Sequence, residues 1–325
     1  MKLFIYKKDY LRSVSLIYVV TCLSVIYLYL FAKLKNIEDR KASDKTSAWQ
    51  PIPENATVVT AYIDIGPFSK GYLHRKRSTT FYFQRAKAFK FLLNALIVYT
   101  NSNSFKSHML ELRRDLLSVT KVFLIDSMSI RSFQYIKQIQ EIFLLHSYPK
   151  YYPHTTNPMY TCVTHAKFDF LLNATTENTF KSKYFMWLDV GYYSSKTALK
   201  MFYLSKPPLF NETKIAADQI VSNLTQALLL DPNTIFKKKK SIVAAGLLYG
   251  ERSRIIVFSK LYQRGFRYFL SQNLTNSEQQ VIYAIYCDKG NRILKPAVDL
   301  QYYRAPGVPY YHFLGTRLMK VSSHS

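Results

Sequence analysis

The chain has 325 residues, is 48% hydrophobic and 16% aromatic, and carries a formal net charge of +25. That length holds one large domain or two small ones, and the apolar share supports a sizeable core, which excludes a disordered composition. The charge suits an anionic partner, whether nucleic acid, an acidic membrane surface or acidic small ligands, and the compartment decides among them.

Ser13 to Ala32 is an uncharged run rich in Val, Leu, Ile and Tyr. It is long enough to span a bilayer as a helix. The exit Leu30-Phe31-Ala32-Lys33 lacks a small-x-small cleavage pattern, so a membrane anchor is expected in preference to a cleaved signal peptide. Basic residues flank both ends (Lys2, Lys7, Lys8 and Arg12 before, Lys33, Lys35, Arg40 and Lys41 after), so charge does not set the orientation. Five Asn-x-Thr sequons, at Asn55, Asn173, Asn211, Asn223 and Asn273, all follow the span. They favour a glycosylated lumenal domain. The expected organisation is a cytoplasmic tail over 1–12, a signal anchor over 13–32, a stem over 33–56 and a lumenal domain over 57–325. That is a single-pass type II membrane protein of the Golgi or endoplasmic reticulum, for which nucleic acid is not an expected partner. Cys22 lies in the span, Cys162 and Cys287 could pair, and no CxxC or Cys/His cluster marks a structural zinc site.

The lumenal domain opens with a strand, Val58 to Ile65, nearly all apolar or β-branched, as suits a strand buried on both faces. Gly66-Pro67 ends it, and a basic loop with Lys70, His74, Arg75, Lys76 and Arg77 follows. A helix is expected over Thr79–Leu93, a strand over Ala95–Tyr99, a helix over Phe105–Leu117 and a strand over Lys121–Ile125. Further helices are expected over Ile130–His146 and Tyr160–Asn173, separated by a tyrosine-rich loop containing Pro149, Pro153 and Pro158. The apolar run Tyr184-Phe-Met-Trp-Leu188 then ends on Asp189, with Gly191 close behind and a turn over Tyr192–Ser195. Residues 200–240 show no clear period, and Lys237–Lys240 reads as a solvated loop. A strand at Ser241–Gly246, helices over Arg254–Leu270 and Glu278–Cys287, and a short strand at Ile293-Leu294 complete the reading. Alternating helices and buried strands predict an α/β fold with a mostly parallel sheet between two helical layers.

An acid at a strand's carboxyl end, followed by Gly, can hold a metal or a polar ligand group, or can simply cap the next turn. With the elements placed, the chain resembles the HtrL/YibB family. The matching pieces are Thr60-Ala-Tyr-Ile-Asp-Ile-Gly66, Leu96-Ile-Val-Tyr-Thr100, His165-Ala-Lys-Phe-Asp-Phe170, Trp187-Leu-Asp-Val-Gly191, Ala245-Gly-Leu-Leu-Tyr-Gly250 and Glu278-Gln279. They occur in the family's order and cover most of residues 57–295. That family is similar to the GT-A type of nucleotide-sugar glycosyltransferase, whose Rossmann-like sheet presents an Asp-x-Asp motif holding a divalent metal, often Mn²⁺, on the donor diphosphate. Here Asp189-Val190-Gly191 keeps one acid and replaces the other with Gly.

The resemblance implies a role for each candidate. Asp189 would be the catalytic carboxylate, as metal or diphosphate ligand, with His312 of His312-Phe-Leu-Gly315 completing the metal site or serving a structural role. Asp64 would meet the nucleoside, or pair with Arg75 or Arg77; Arg75, Arg77 and Lys167 would neutralise the diphosphate, or lie solvated on the surface. Glu278 would be a general base for the acceptor, or the last member of a capping box Thr275-Asn-Ser-Glu278. Gly246 and Gly250 bracket an apolar turn that could approach a sugar, or serve as ordinary turn residues. The implied ligands are a nucleotide sugar, with UDP the first nucleotide expected, and a glycan or glycoprotein acceptor. The alternatives are a non-catalytic glycan-binding or scaffold protein on the same fold, and an anchor for acidic glycans. No Gly-x-Ser-x-Gly, His-Glu-x-x-His or Gly-x-x-x-x-Gly-Lys-Ser/Thr pattern supports another enzyme class.

Overall fold

The computed structural model describes residues 55–71, 73–193, 200–306 and 311–322. The expected anchor and nearly all of the stem lie outside them; among the described residues no helix is long and apolar enough to cross a membrane. In chain order, β1 (Ala56–Tyr62) is followed by a hairpin of β2 (Phe68–Lys70) and β3 (Arg75–Arg77), then by α1 (Thr79–Ala86) and β4 (Ala95–Thr100). Next come α2 (Asn103–Leu112), β5 (Thr120–Leu124), α3 (Ile136–Leu144), α4 (Pro158–Glu177) and β6 (Tyr184–Leu188). β7 (Phe202–Leu204), β8 (Ile215–Gln219), α5 (Leu224–Leu228), α6 (Pro232–Lys237) and β9 (Val243–Glu251) follow. The chain closes with α7 (Arg252–Ser271), α8 (Glu278–Tyr286), α9 (Asp288–Leu294), β10 (Leu300–Tyr303), α10 (Phe313–Leu318) and β11 (Met319–Val321).

Seven strands form the central sheet in the order β10-β8-β9-β6-β1-β4-β5. Its pairings are parallel except that β9 runs against both β6 and β8. The chain leaves β1 toward β4 and β5 on one side, then returns to lay β6 on the other side. The strand order therefore reverses between β1 and β6, and the carboxyl ends of strands at such a point frame a ligand crevice.

Alternate residues of each strand serve two cores. Val59, Ile97 and Trp187 pack toward α4, α7 and α8, while Val58, Leu96 and Met186 pack toward α1, α2 and α10. Burying each of these side chains contributes about 1.5–3 kcal/mol. Burial on both faces is why these strands read as unbroken apolar runs.

Cap chemistry explains why α4 outruns its expected span. Asn157 accepts a hydrogen bond from the Tyr160 N–H at 3.0 Å, with Pro158 in the first turn. Asn178, at φ +45°, takes the left-handed stop and donates its N–H to the Ala174 carbonyl.

Several expectations shift. The helix expected over Thr79–Leu93 breaks after Ala86 into a 3₁₀ turn over Lys87–Phe91. Ile293-Leu294 ends α9 instead of forming a strand. The stretch 200–240 holds β7, β8, α5 and α6. Lys239 is not wholly solvated: its Nζ lies 3.2 Å from His154 Nδ1 and over the Tyr151 ring. Cys162 and Cys287 are buried free thiols. All five sequon asparagines are exposed.

Candidate active site

A pocket of about 410 Å³ opens where the chain crosses the switch point. It is lined by Asp64 after β1, Arg77 at the end of β3, Arg85 on α1, Lys167 on α4, Asp189 after β6, Gly246 on β9, Glu278 on α8 and His312 before α10. Seven of the expected site residues are thus brought together from across the sequence. Arg75 and Gly250 do not join them. Arg75 is exposed on the hairpin. Gly250 lies in the core, where an added Cβ would stand 2.7 Å from Ile215 Cδ1.

Lys167 organises the floor. Its ammonium is 3.0 Å from Glu278 Oε1 and 3.3 Å from Asp189 Oδ1, and it donates to the Ala245 carbonyl. Burial opposes its charge, but the two carboxylates outweigh that and hold its pKa above the ordinary lysine value. The Lys167 Nζ also lies 5.3 Å from the Trp187 ring centroid. The result is a continuous Asp189–Lys167–Glu278 charge array. With its side chain 4% exposed, Lys167 reaches solvent less than either Asp189 at 48% or Glu278 at 8%.

Asp189 is fixed from three sides. Trp187 Nε1 donates to its Oδ1 at 2.5 Å, and its N–H donates to the Gly246 carbonyl at 2.9 Å. Its own carbonyl accepts from the Tyr192 N–H at 2.9 Å. The Gly246 contact continues the β6–β9 ladder one position past Leu188 and Leu247, whereas on its other side β9 is irregular. Ala217 pairs with Leu248, but Asp218 pairs with Ala244, so Ala245, Gly246 and Leu247 bulge away from β8. Bulges re-aim backbone groups beside active sites; here the carbonyl of Ala245, unpaired with β8, accepts from Lys167. A side chain at Gly246 would meet the Tyr192 ring at 3.1 Å and Asp189 Oδ2 at 3.4 Å.

Glu278 does not close the expected capping box. The N-cap is Ser277 and its partner is Gln280, whose Oε1 accepts from the Ser277 N–H at 3.2 Å. The box lies two positions later than expected, which leaves the Glu278 carboxylate for Lys167. Asp64 does not pair with Arg75 or Arg77. Its Oδ1 accepts from the Gly66 N–H at 3.0 Å and its Oδ2 from the Thr79 hydroxyl at 3.3 Å.

His312 packs edge-on against Tyr192 at 4.5 Å between centroids. Burial lowers its pKa, Asp189 pulls the other way, and Arg85 adds to the lowering. On the far wall, burial pushes His154 down to about 3, with Lys239 and Lys70 adding to the effect, so its imidazole is neutral near pH 7. Among the described residues no group of three or more His, Cys, Asp or Glu side chains could hold a metal ion. Asp189 already shares Oδ1 with an ammonium and an indole N–H. As placed, this donor set does not fit a divalent ion.

Reading the sequence singled out neither Arg85 nor the wall formed by Thr79, Phe81, Tyr160, His154 and Lys70. The one available signal for Arg85 was its spacing of four from Phe81 on a helix, which puts both on one face.

No curated protein matches the chain. Among solved structures, mouse xyloside xylosyltransferase 1 in its apo form is similar at 9% identity, with 76% of this chain and 84% of that chain covered and a TM-score of 0.37. That likeness is too distant to carry an argument about activity. The family comparison is firmer: residues 54–292 match the HtrL_YibB model, described as a bacterial protein of unknown function, and the chain belongs to this family.

Proposed function

We propose that the protein is a glycosyltransferase that moves a sugar from a nucleotide-sugar donor to a hydroxyl of a glycan or glycoprotein. The observation that carries this reading is the pocket at the reversal between β1 and β6, which collects Asp64, Arg77, Arg85, Asp189 and Glu278 around a volume suited to a nucleotide. Asp64 accepts the ribose hydroxyls, and the arginines receive the diphosphate. Gly246, with no side chain, lets the sugar approach the backbone beside Asp189 closely. The acceptor oxygen forms its bond to the sugar C1 as the C1–O bond to phosphate breaks. Its proton passes to Glu278, which is held in place by Lys167, and the nucleoside diphosphate leaves. Fixed charges aimed at the developing leaving group lower the barrier without reorganisation.

The uncharged run Ser13–Ala32 and five exposed sequon asparagines support action in the Golgi or endoplasmic reticulum lumen as an anchored type II protein. A second reading, a non-catalytic glycan-binding protein on the same fold, is favoured by one observation: both acids are bound to Lys167. Calorimetric titration of the full-length protein with UDP and GDP, alongside release of nucleotide from UDP- and GDP-sugars, separates the two. Transfer predicts binding and slow donor hydrolysis, with hydrolysis lost in Asp189→Asn. A folded protein that binds neither nucleotide refutes the transferase reading.

A further inference from the structure

Two cations on the pocket wall have no carboxylate partner among the described residues. Arg77 and Arg85 place their Cζ atoms 4.0 Å and 5.2 Å from the centroid of the Phe81 ring. Both are half-buried and both line the pocket. Among the described residues neither forms a salt bridge, whereas Lys167, Lys183, Lys206, Lys214 and Lys289 do. Their positions are set by local structure. Arg77 ends β3 immediately before the N-cap Ser78, and Arg85 follows Phe81 by one helical turn on α1. One ring therefore carries two guanidinium groups, a pre-oriented arrangement that costs little further ordering on binding.

Beside Arg85 lies Gly191, the place a second acid would take in the strand-end motif. An added Cβ there would have as its nearest neighbour Arg85 Cγ, at 4.0 Å. The remaining acid, Asp189, lies 3.3 Å from the resident Lys167 ammonium, which opposes an incoming divalent cation and competes for the same oxygen. Where a two-acid motif would hold an ion, this strand end has one acid paired with Lys167, and the nearby wall carries a pair of arginines.

We infer that Arg77 and Arg85 form a metal-independent clamp for the diphosphate of the bound nucleotide, an inference that rests on the nucleotide-sugar reading above. Guanidinium forks match phosphate oxygens in a bidentate way, and two of them meet the charge that an ion would otherwise neutralise. Arg85 is the more diagnostic of the two, because it stands beside Gly191 and acts electrostatically on His312.

The test is calorimetry on the full-length protein with UDP, GDP and inorganic pyrophosphate, each in EDTA and in Mn²⁺. Affinity in EDTA within about twofold of that in Mn²⁺ is expected, with Arg85→Gln and Arg77→Gln each weakening binding by about tenfold or more. Arg85→Lys should recover part of the loss as a point charge. Both side chains are half-exposed, so the variants should keep the parent's melting temperature, which is measured alongside. Binding that appears only with Mn²⁺, and survives Arg85→Gln, overturns the clamp and leaves the transferase reading standing. No binding of any probe by the folded protein, with or without metal, overturns the transferase reading and the clamp with it.

Discussion

At the scale of single residues, Lys167 concentrates the electrostatic risk of the molecule. It is buried with two carboxylates, and a buried ion pair is costly to break because the surviving charge is left unpaired. Lys167→Met removes the ammonium that pairs with Glu278, whose side chain is 8% exposed. The expected loss is about 3 kcal/mol, read as a lower urea midpoint. Adding Glu278→Gln to that variant should return part of the loss. A double variant no more stable than the single one would show that charge pairing is not what Lys167 supplies. Both acids were legible in the sequence, because a strand end and a helix start are visible there. The tie between them was not: Lys167 and Glu278 are 111 positions apart, and no local pattern joins them.

Among the elements, β9 does the most to shape the pocket, and its two glycines divide the labour. Gly246 sits in the bulge against the Tyr192 ring, which the Gly315 N–H and Asp218 hold in place. Gly246→Ala should therefore cost about 1 kcal/mol of stability and weaken nucleotide binding about tenfold. Gly250→Ala crowds Ile215 and Ile255, outside the pocket lining, and should cost about 1 kcal/mol with affinity unchanged. Equal effects on affinity would show that the bulge has no special role. The buried strands β1, β4 and β6 stood out in the sequence because both faces are apolar. β5 was legible from its apolar run although it is a partly exposed edge strand, and β9 was legible only as far as Gly246, because the turn expected between Gly246 and Gly250 is strand instead. β8, Ile215-Ala-Ala-Asp-Gln219, and β10, Leu300-Gln-Tyr-Tyr303, did not, being short and mixed in polarity. Ile293-Leu294 misled for the opposite reason: two apolar residues fit any period.

Over the whole molecule, Asp218 joins the sheet to the chain's last helix. It is fully buried at the end of β8, accepts from the Leu314 N–H at 2.5 Å, and takes the Tyr192 hydroxyl at 3.3 Å. Burial raises its pKa from 3.8 to about 7 despite those hydrogen bonds. Between these values the native state holds a proton that the unfolded chain releases. Stability contributed by Asp218 is thus present at acid pH, falls as pH rises from about 4 to about 7, and is flat above that. The span corresponds to about 4 kcal/mol at most. Urea midpoints measured from pH 4 to pH 8 should show the decline in the parent protein and a flatter profile in Asp218→Asn. An identical slope in both would assign the pH dependence to other groups.

The wall of the pocket is contributed by segments running from Ala61 to His312. Its lining residues are spread over most of the folded domain, so occupancy is coupled to the folding of that domain. A ligand that binds only the native state stabilises by RT ln(1 + [L]/Kd), about 2.7 kcal/mol at a hundredfold excess over Kd. With a site stitched from nearly every layer, that gain is felt as a cooperative rise in melting temperature. Thermal-shift screening of nucleotide and oligosaccharide libraries can therefore work for this protein without a prior assay: the fold itself is the reporter, and the donor and the acceptor can each be sought by the heat the protein withstands.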